Sequence, residues 1–394
     1  MPYRVPFVNL SAQYKHLEKE IRELLDDVLF TRADFIMRSD LREFESNLAS
    51  FVGVDYAVGV GSGTDALHLS LLAAGIGPGD EVITVAHTFV ATVAAIVHCG
   101  ATPILIDVRE DFNMDVEQLE EAISPRTKAV IPVHLNGRLC DMEKVMDIAN
   151  KRNLLVIEDS AQALGATFDG KKAGSFGLTG CFSLYPMKIL GGVGDGGVVV
   201  TDNEEVAQKI RFLRDHGQNR ETGDLIGYGF NSRLDNLQAA IINLKLKYLP
   251  QWIERRRELA NIYHQGLSDL SAPACALADR CGHAQAGVPH VKLPPPPQTD
   301  GRYFDVFQNY VIQCQQRDRL VEHLNECGIE VLISWPKPMH HHEALGLKHF
   351  KLPETEKISR EVVSLPMNTE ISNEQVEYVI DCVRKFYKKY INPS

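Results

Sequence analysis

Lys188 is the residue whose type and surroundings most strongly suggest chemistry. It is the one lysine within residues 181–201, a stretch that is mostly apolar or small and dense in glycine. An enclosed lysine usually has a partner or a chemical task. Burial lowers the pKa of an amine and makes it nucleophilic, so Lys188 is predicted to form a Schiff base with an aldehyde. A lysine that binds phosphate or pairs with a carboxylate is the alternative.

Asp159 is a second candidate, because it ends the strongly apolar run LLVIED. A carboxylate in such poorly hydrated surroundings needs a cation or a hydrogen-bond donor beside it. A structural ion pair or a helix N-cap is the common alternative. Gln162 follows three residues later and could face the same cavity.

A third feature is the turn formed by Ser62, Gly63 and Thr64, between a strand-like segment and an apolar helical one. Free backbone N–H groups at a helix start, together with two hydroxyls, can bind an anion. Helix capping alone is the alternative. The spacing does not match GxGxxG and no P-loop lysine follows, so one phosphate group is favoured over a dinucleotide. This disfavours a nicotinamide-dependent sugar dehydrogenase.

Together these features suit pyridoxal 5′-phosphate (PLP). Lys188 would form the Schiff base, and Asp159 would keep the pyridine nitrogen protonated so that the ring acts as an electron sink. The turn at residues 62–64, with Ser183, would hold the phosphate. Phe89, in the segment AHTFVAT, could stack on the ring, with ordinary core packing as the alternative.

The elements that must position these residues follow from the pattern between residues 55 and 160, where strand-like and helical segments alternate. This pattern predicts an α/β fold: a three-layer, mostly parallel sheet with helices on both faces, followed by a smaller C-terminal α+β domain. In such sheets ligands bind beyond the carboxyl ends of strands, where all three features fall. The predicted domains are residues 1–249 and 250–394. Helices are also predicted over residues 11–29 and 114–123.

Composition narrows the possible partners. The 394 residues carry a formal net charge of −11, which disfavours nonspecific binding to nucleic acid. No apolar run approaches the length of a membrane span, and the N-terminus lacks the apolar core of a secretory signal. Eight cysteines without a CxxC pair are typical of a reduced, cytosolic protein. We therefore expect a cytoplasmic protein without nucleic-acid or membrane partners.

The chain resembles the DegT/StrS family of PLP-dependent sugar aminotransferases from VPFVNL to the C-terminal helix. The segments that carry the resemblance are GSGTDAL, AHTFVAT, PRTKAVIPVH, IEDSAQALGA, FSLYPMKILGGVGDGG and GFNSRLDNLQAA. The resemblance implies PLP fold type I, the aspartate-aminotransferase layout. It also implies an obligate homodimer with active sites shared between the subunits.

The resemblance assigns the site residue by residue. It implies Lys188 as the Schiff-base (internal aldimine) lysine, Asp159 as the pyridine-nitrogen partner, Gln162 as a contact of the ring hydroxyl, Phe89 as the stacking aromatic, Ser183 and the Gly63–Thr64 turn as phosphate ligands, and Asn231 as a ligand of the partner subunit's phosphate. Arg233, Gln308 and His340 are candidate substrate contacts. Gln308 stands where many relatives have histidine, and Ile189 and Asn136 are further departures, so the sugar is left open.

The implied reaction moves an amino group from glutamate to a keto group of a nucleotide-linked sugar. The pattern YPxK followed by LGxxGDGG resembles enzymes acting on 3-keto sugars more than those acting on 4-keto sugars. A 4-keto sugar aminotransferase is one alternative. A non-catalytic regulatory or binding protein that kept the PLP fold is the other.

Two further patterns are given structural interpretations. The adjacent histidines 340–342 suggest a metal cluster, but neighbours on a regular element cannot all face one ion, and the spacing of Cys275, Cys281, His283 and His290 is irregular. No metal site is therefore predicted. The three arginines at residues 255–257 are predicted to be the solvated face of a helix.

Overall fold

A computed structural model describes residues 3–271, 291–298 and 301–391 of the protein. The helices are α1 Leu10–His16, α2 Glu18–Asp26, α3 Ser39–Val52, α4 Gly63–Ala73, α5 Val90–His98, α6 Met142–Arg152, α7 Glu204–Leu213, α8 Asn236–Leu246, α9 Leu249–Leu267, α10 Arg317–Glu326, α11 Pro353–Glu361 and α12 Asn373–Ile391. The strands are β1 Tyr56–Val60, β2 Glu81–Val85, β3 Thr102–Ile106, β4 Thr127–Val130, β5 Leu155–Asp159, β6 Thr167–Phe168, β7 Lys171–Lys172, β8 Thr179–Ser183, β9 Gly197–Thr201, β10 Val291–Lys292, β11 Tyr303–Phe304, β12 Tyr310–Cys314 and β13 Val362–Leu365.

A seven-stranded sheet in the order β1-β9-β8-β5-β4-β2-β3 forms the centre of the first two thirds of the chain. Only β9 runs against its neighbours, being antiparallel to β1 and to β8. Successive residues of each strand enter different cores: Val82 packs with α4, α5 and α7, whereas Ile83 packs with α3, α6 and α8. Helices therefore cover both faces, and the predicted three-layer α/β fold is confirmed.

The C-terminal third contains a smaller antiparallel sheet in the order β10-β12-β13. The buried side chains of this sheet, such as Tyr310 and Val363, form a separate hydrophobic cluster with Tyr263 of α9 and with residues of α10 and α12. Val5 belongs to this cluster and bridges to Ile329, so the N-terminal strand-like segment packs on the C-terminal part. Helix α9 begins at Leu249, where the division into two domains is predicted; that division stays a prediction.

Two predicted helices differ from the structure. The helix over residues 11–29 is divided into α1, α2 and a π-helical turn, Asp27–Arg32. Residues 114–123 form only a 3₁₀ turn, Val116–Gln118. There the Asp115 carboxylate accepts bonds from the Glu117 N–H and the Gln118 amide, and the Gln118 side chain also accepts from the Asp107 N–H. These side-chain bonds replace helical ones.

The interpretation of residues 255–257 as a solvated helix face is wrong for two of the three arginines. Arg256 and Arg257 are buried. The Arg256 guanidinium donates to the carbonyl oxygens of Phe307, Gln308 and Met367 at 3.0–3.1 Å. Consecutive residues on a helix point about 100° apart, so three in a row cannot share one exposed face.

Among the described ranges, no helix combines the length and hydrophobicity needed to cross a membrane. The six cysteines described there are free thiols. The irregular group of Cys275, Cys281, His283 and His290 lies outside the described residues.

Candidate active site

The predicted site residues meet at one edge of the large sheet, because Asp159 ends β5, Ser183 ends β8 and the turn before α4 follows the end of β1. A cavity of about 490 Å³ opens there. Its lining includes Ser62, Gly63, Thr64, Phe89, His134, Asp159, Gln162, Ser183, Tyr185, Lys188 and Trp335. Eight of the nine cofactor-binding residues predicted from the sequence thus face one cavity, and Asn231 does not line it.

The start of α4 provides the anion-binding part of the cavity. Ser62 caps the helix, its Oγ accepting from the Asp65 N–H at 3.1 Å. The first N–H groups of a helix have no partner within it and point toward the cavity end. A Cβ on Gly63 would come within 2.8 Å of the Ser183 Cβ, so glycine lets this turn approach β8 closely. Hydroxyls and free amides therefore converge on one point.

Asp159 is almost enclosed, with 6% of its surface exposed. Its Oδ2 accepts from the Thr92 hydroxyl at 2.8 Å and its Oδ1 from the Ala161 N–H at 3.2 Å. Burial raises the pKa of Asp159, and the Thr92 bond, the Ala161 bond and the charge of Lys188 oppose that rise. The carboxylate keeps capacity for a further donor from the cavity.

Lys188 lies in the loop between β8 and β9. Burial lowers its pKa to about 8, and the nearby Asp159 carboxylate opposes this shift. Its Nζ forms no hydrogen bond or ion pair with residues 3–271, 291–298 or 301–391, and its side chain is partly open to the cavity. An unpaired amine with a pKa near neutrality can act as a nucleophile and as a proton carrier.

Gln162 and Phe89 lie on the walls of the cavity. The Gln162 side-chain oxygen accepts from the Asn136 N–H at 2.8 Å, which leaves its amide NH₂ available. Phe89 directly precedes α5 and is 59% exposed, so its ring can cover a ligand without leaving a core. Asn136, one of the departures from the family pattern, has a left-handed backbone with φ of 58°.

Four predicted residues lie away from the cavity. Asn231 is exposed on a segment bridged to Asp215, and Arg233 donates to the Asp215 carboxylate at 3.0 Å. His340 is fully buried, with Nε2 at 3.3 Å from a Glu356 oxygen. Gln308 is bonded to the backbone beside Lys188. Within this chain, therefore, the structure brings none of Arg233, Gln308 and His340 to the cavity as a substrate contact.

Among the residues that sequence reasoning missed, three shape the site: Thr92, which is fully buried behind the lining, and His134 and Trp335, which belong to the lining. Thr92 bonds Asp159, and its sequence signal was a lone hydroxyl in an otherwise apolar helix, four residues after Thr88. His134 directs Nε2 to the buried Glu158 carboxylate at 2.9 Å, and its Nδ1 accepts from the Cys140 N–H. Both bonds fix the imidazole ring.

Trp335 is the third residue that sequence reasoning missed, and no local sequence pattern indicates its position in the cavity wall. Its φ of 52° is rare for a bulky residue and indicates that surrounding contacts impose the conformation. Its ring stands perpendicular to that of His87, with 5.2 Å between centroids. Burial lowers the pKa of His87 to about 4, so a neutral imidazole supports the tryptophan wall.

Residues 15–384 match the DegT/DnrJ/EryC1/StrS aminotransferase family. A pleiotropic regulatory protein of Geobacillus stearothermophilus is 40% identical over 98% of this chain and 99% of its own. The dTDP-3-amino-3,4,6-trideoxy-alpha-D-glucose transaminase of Streptomyces venezuelae is 38% identical over 98% and 97%. The UDP-N-acetyl-3-dehydro-alpha-D-glucosamine 3-aminotransferase of Acidithiobacillus ferrooxidans is 39% identical over 97% of each chain.

Solved structures show the same architecture. The S. venezuelae DesV structure, in complex with a ketimine intermediate, superposes with a TM-score of 0.88 and 37% identity over 98% of this chain and 99% of that one. NtdA from Bacillus subtilis, with bound cofactor PMP, superposes with a TM-score of 0.86 and 31% identity over 98% and 86%. These matches confirm the resemblance and the fold class predicted from the sequence.

Proposed function

Because the chain belongs to the DegT/DnrJ/EryC1/StrS aminotransferase family, we propose that it moves the amino group of glutamate to the 3-keto group of a nucleotide-linked sugar. It is a PLP-dependent sugar aminotransferase. The observation that carries the proposal is one cavity that joins an unpaired lysine, a buried aspartate and a helix N-terminus. Each part alone has a structural explanation, but the three together match the needs of one cofactor.

The cavity fits PLP on the chemistry of its donors. The first N–H groups of α4 and the hydroxyls of Ser62 and Ser183 suit a phosphate. Asp159 offers a buried carboxylate to a protonated ring nitrogen, and Lys188 offers an amine to an aldehyde. When bound, PLP supplies the electron sink that amino transfer requires.

Lys188 and Asp159 have separate tasks in this proposal. Lys188 would hold the cofactor through its Nζ. When free, the same Nζ would carry a proton within the cavity, first as a general base and then as a general acid. Asp159 holds the proton on the ring nitrogen, and Thr92 helps to keep Asp159 ionised against the effect of burial. Overall, glutamate would give up its amino group and take an oxygen from water to leave as 2-oxoglutarate, and the sugar would gain the amine while its keto oxygen leaves as water.

The substrate class rests on relatives and on motif. Two of the similar proteins are named for 3-amino or 3-dehydro sugars linked to dTDP or UDP. The segment YPMKILGGVGDGG carries the pattern that resembles 3-keto enzymes. Glutamate as donor and the cytoplasm as location remain parts of the proposal. A 4-keto sugar is the alternative that a substrate panel distinguishes.

A homodimer completes the proposed site. Phe30, Leu225 and Tyr228 are large apolar side chains that are mostly exposed in the single chain. Apolar surface of this kind often marks a protein interface. Asn231 is exposed beside the same segment, as a residue that reaches the partner's phosphate must be. Size measurement by light scattering, with and without Asn231→Ala, tests the assembly and its effect on cofactor affinity.

The experiment for the function combines a spectrum and a substrate panel. The purified protein should absorb in the visible, and glutamate should bleach that band. Keto sugar nucleotides that differ in base and in ketone position are then added. Mass spectrometry measures whether the mass of each has changed by the amount expected when an amine replaces the keto oxygen. A protein without the band, or one that transfers nothing to any 3-keto sugar, contradicts the proposal.

A regulatory role is the second candidate, and one observation favours it: a relative 40% identical carries the name pleiotropic regulatory protein. It predicts cofactor binding without turnover. The unpaired Lys188 beside Asp159 favours catalysis, because a binding protein has no need of a nucleophile with a pKa of about 8. Glutamate bleaching of the visible band separates the two roles.

A further inference from the structure

One side chain holds the backbone on both sides of Lys188. The Gln308 amide nitrogen donates to the Met187 carbonyl at 2.9 Å, and the Gln308 amide oxygen accepts from the Ile189 N–H at 2.9 Å. The Lys188 N–H itself donates to the Tyr185 carbonyl at 2.8 Å. The two peptide groups that flank the Lys188 Cα are thus fixed: the first by both the local turn and Gln308, the second by Gln308 alone.

Gln308 is in turn rigidly held. It is only 8% exposed, and its carbonyl, with that of Phe307, accepts from the Arg256 guanidinium at 3.1 Å. Phe307 has a left-handed backbone with φ of 50°. On the other side, a Cβ on Gly137 would lie 2.8 Å from the Phe307 nitrogen and 2.9 Å from that of Gln308. The backbone at residues 307–308 is therefore enclosed from two sides.

The loop around Lys188 needs such support. Five glycines lie between residues 191 and 197, and glycine restricts the backbone least. Burial alone does not fix the conformation of a lysine side chain, because its four-carbon stem has many rotamers. Fixing the peptide groups before and after Lys188 restricts where its Cα and Nζ stand relative to the Asp159 carboxylate. Reacting groups must be held to well under 1 Å for full rate.

We propose that Gln308, fixed by Arg256, is a positioning residue that sets the location of Lys188 in the cavity. The inference rests on the proposed function, because it assumes that Lys188 is the reacting lysine. Gln308 does not itself face the cavity as that cavity is lined in this chain. Loss of the Gln308 hydrogen bonds should therefore lower kcat and shift the pH at which the visible band titrates, and it should leave substrate affinity unchanged.

The test uses the dimeric holoenzyme and three variants. Gln308→Met keeps the length of the side chain and removes both hydrogen bonds. Gln308→Asn keeps a buried amide that is too short to make both. Gln313→Met is the control: Gln313 is another buried glutamine, on β12, and its amide donates to the Glu361 carboxylate at 2.8 Å and not to the backbone around Lys188. Thermal unfolding, the pH titration of the visible band, kcat and KM are measured for each.

We expect Gln308→Met to keep the visible band but to shift its titration midpoint, and kcat to fall about tenfold to a hundredfold while KM is unchanged. Gln308→Asn should shift the same two quantities in the same direction, and it decides the matter if Gln308→Met does not fold. Gln313→Met should change neither. A wild-type titration and a wild-type kcat in the folded Gln308 variants overturn the inference. A wild-type protein without the visible band overturns the proposed function instead.

Discussion

Lys188 and Lys245 have similarly lowered pKa values but different surroundings. Burial lowers the pKa of each to about 8. Lys245, on α8, is 1% exposed; its ammonium donates to the Gly191 carbonyl and to the Tyr14 hydroxyl and lies 4.6 Å from the centre of the Tyr14 ring. Lys188 faces the cavity and has none of these contacts within the described part of the chain.

The difference shows that a perturbed pKa does not by itself identify a reactive group. Lys245 is occupied: with Tyr14, which donates to the Gly192 carbonyl at 2.9 Å, it fastens the glycine turn that follows Lys188. Lys188 is available, because it forms no bond to Asp159 and both side chains line a cavity large enough for a ligand. Access to the cavity, more than the size of the pKa shift, distinguishes Lys188, the proposed nucleophile, from Lys245, whose contacts are structural.

Replacing the two lysines in parallel should produce the largest contrast. Lys188→Ala removes the nucleophile and the proton carrier, so we expect loss of the visible band and a fall in kcat of about a thousandfold or more. Lys245→Met should keep the band and most of the turnover. Absorbance and steady-state amino transfer measure both. The comparison fails if Lys245→Met loses the band or Lys188→Ala keeps its rate.

Asp159→Asn tests whether the charge beside Lys188 matters as well as the cavity. An amide cannot keep the ring nitrogen protonated, so kcat should fall by roughly a hundredfold to ten-thousandfold, as for loss of a group that handles a proton. The phosphate contacts at α4 are untouched, and cofactor should still bind. Cofactor retention after dialysis and kcat are the measurements. An unchanged kcat would show that Asp159 is only structural.

Thr92→Val should have a smaller effect on the same carboxylate. The variant removes the 2.8 Å hydrogen bond to Asp159, one of the contacts that lower its pKa against burial. A hydrogen bond to a charged group contributes about 1.5–3 kcal/mol, so kcat should fall roughly tenfold to a hundredfold. Thr84→Val is the matched control, because the buried Thr84 hydroxyl donates to the Ile131 carbonyl. Equal losses in the two variants would count against a role for Thr92.

The parts of the site that could be predicted from sequence were those with a recognisable pattern within a short segment of the chain. Lys188 in its glycine loop, Asp159 at a strand end and the turn at residues 62–64 each had a local pattern, and the alternation of strands and helices placed them at one sheet edge. That edge is where the structure has them. Local pattern was sufficient because parallel strands share the direction of their carboxyl ends.

What could not be predicted depends on contacts between distant segments. Gln308 was named as a candidate substrate contact, and its bonds to the backbone on both sides of Lys188 were not foreseen. Arg256 was assigned to solvent because its segment is rich in charge, yet it binds three carbonyl groups in the interior. Trp335 enters the cavity wall through an unusual backbone angle. No periodicity or spacing encodes which carbonyl an arginine will reach.

The smallest expected effect is the slope of stability with pH that Lys245 contributes. Its folded pKa of about 8 lies below the ordinary 10.5 of lysine. Between these values the unfolded chain binds more protons than the folded one, so the free energy of unfolding rises with pH in that window. Below pH 8 both states are protonated and the slope vanishes.

Lys245→Met should remove this rise. The difference in unfolding free energy between wild type and variant, measured by urea denaturation, should therefore grow in favour of the wild type by roughly 1–2 kcal/mol between pH 8 and 9.5. Other groups titrate equally in both proteins and cancel in the difference. Parallel curves would mean that Lys245 titrates normally. The two lysines would then differ in pKa as well as in access, and the cavity would no longer be the single feature that distinguishes them.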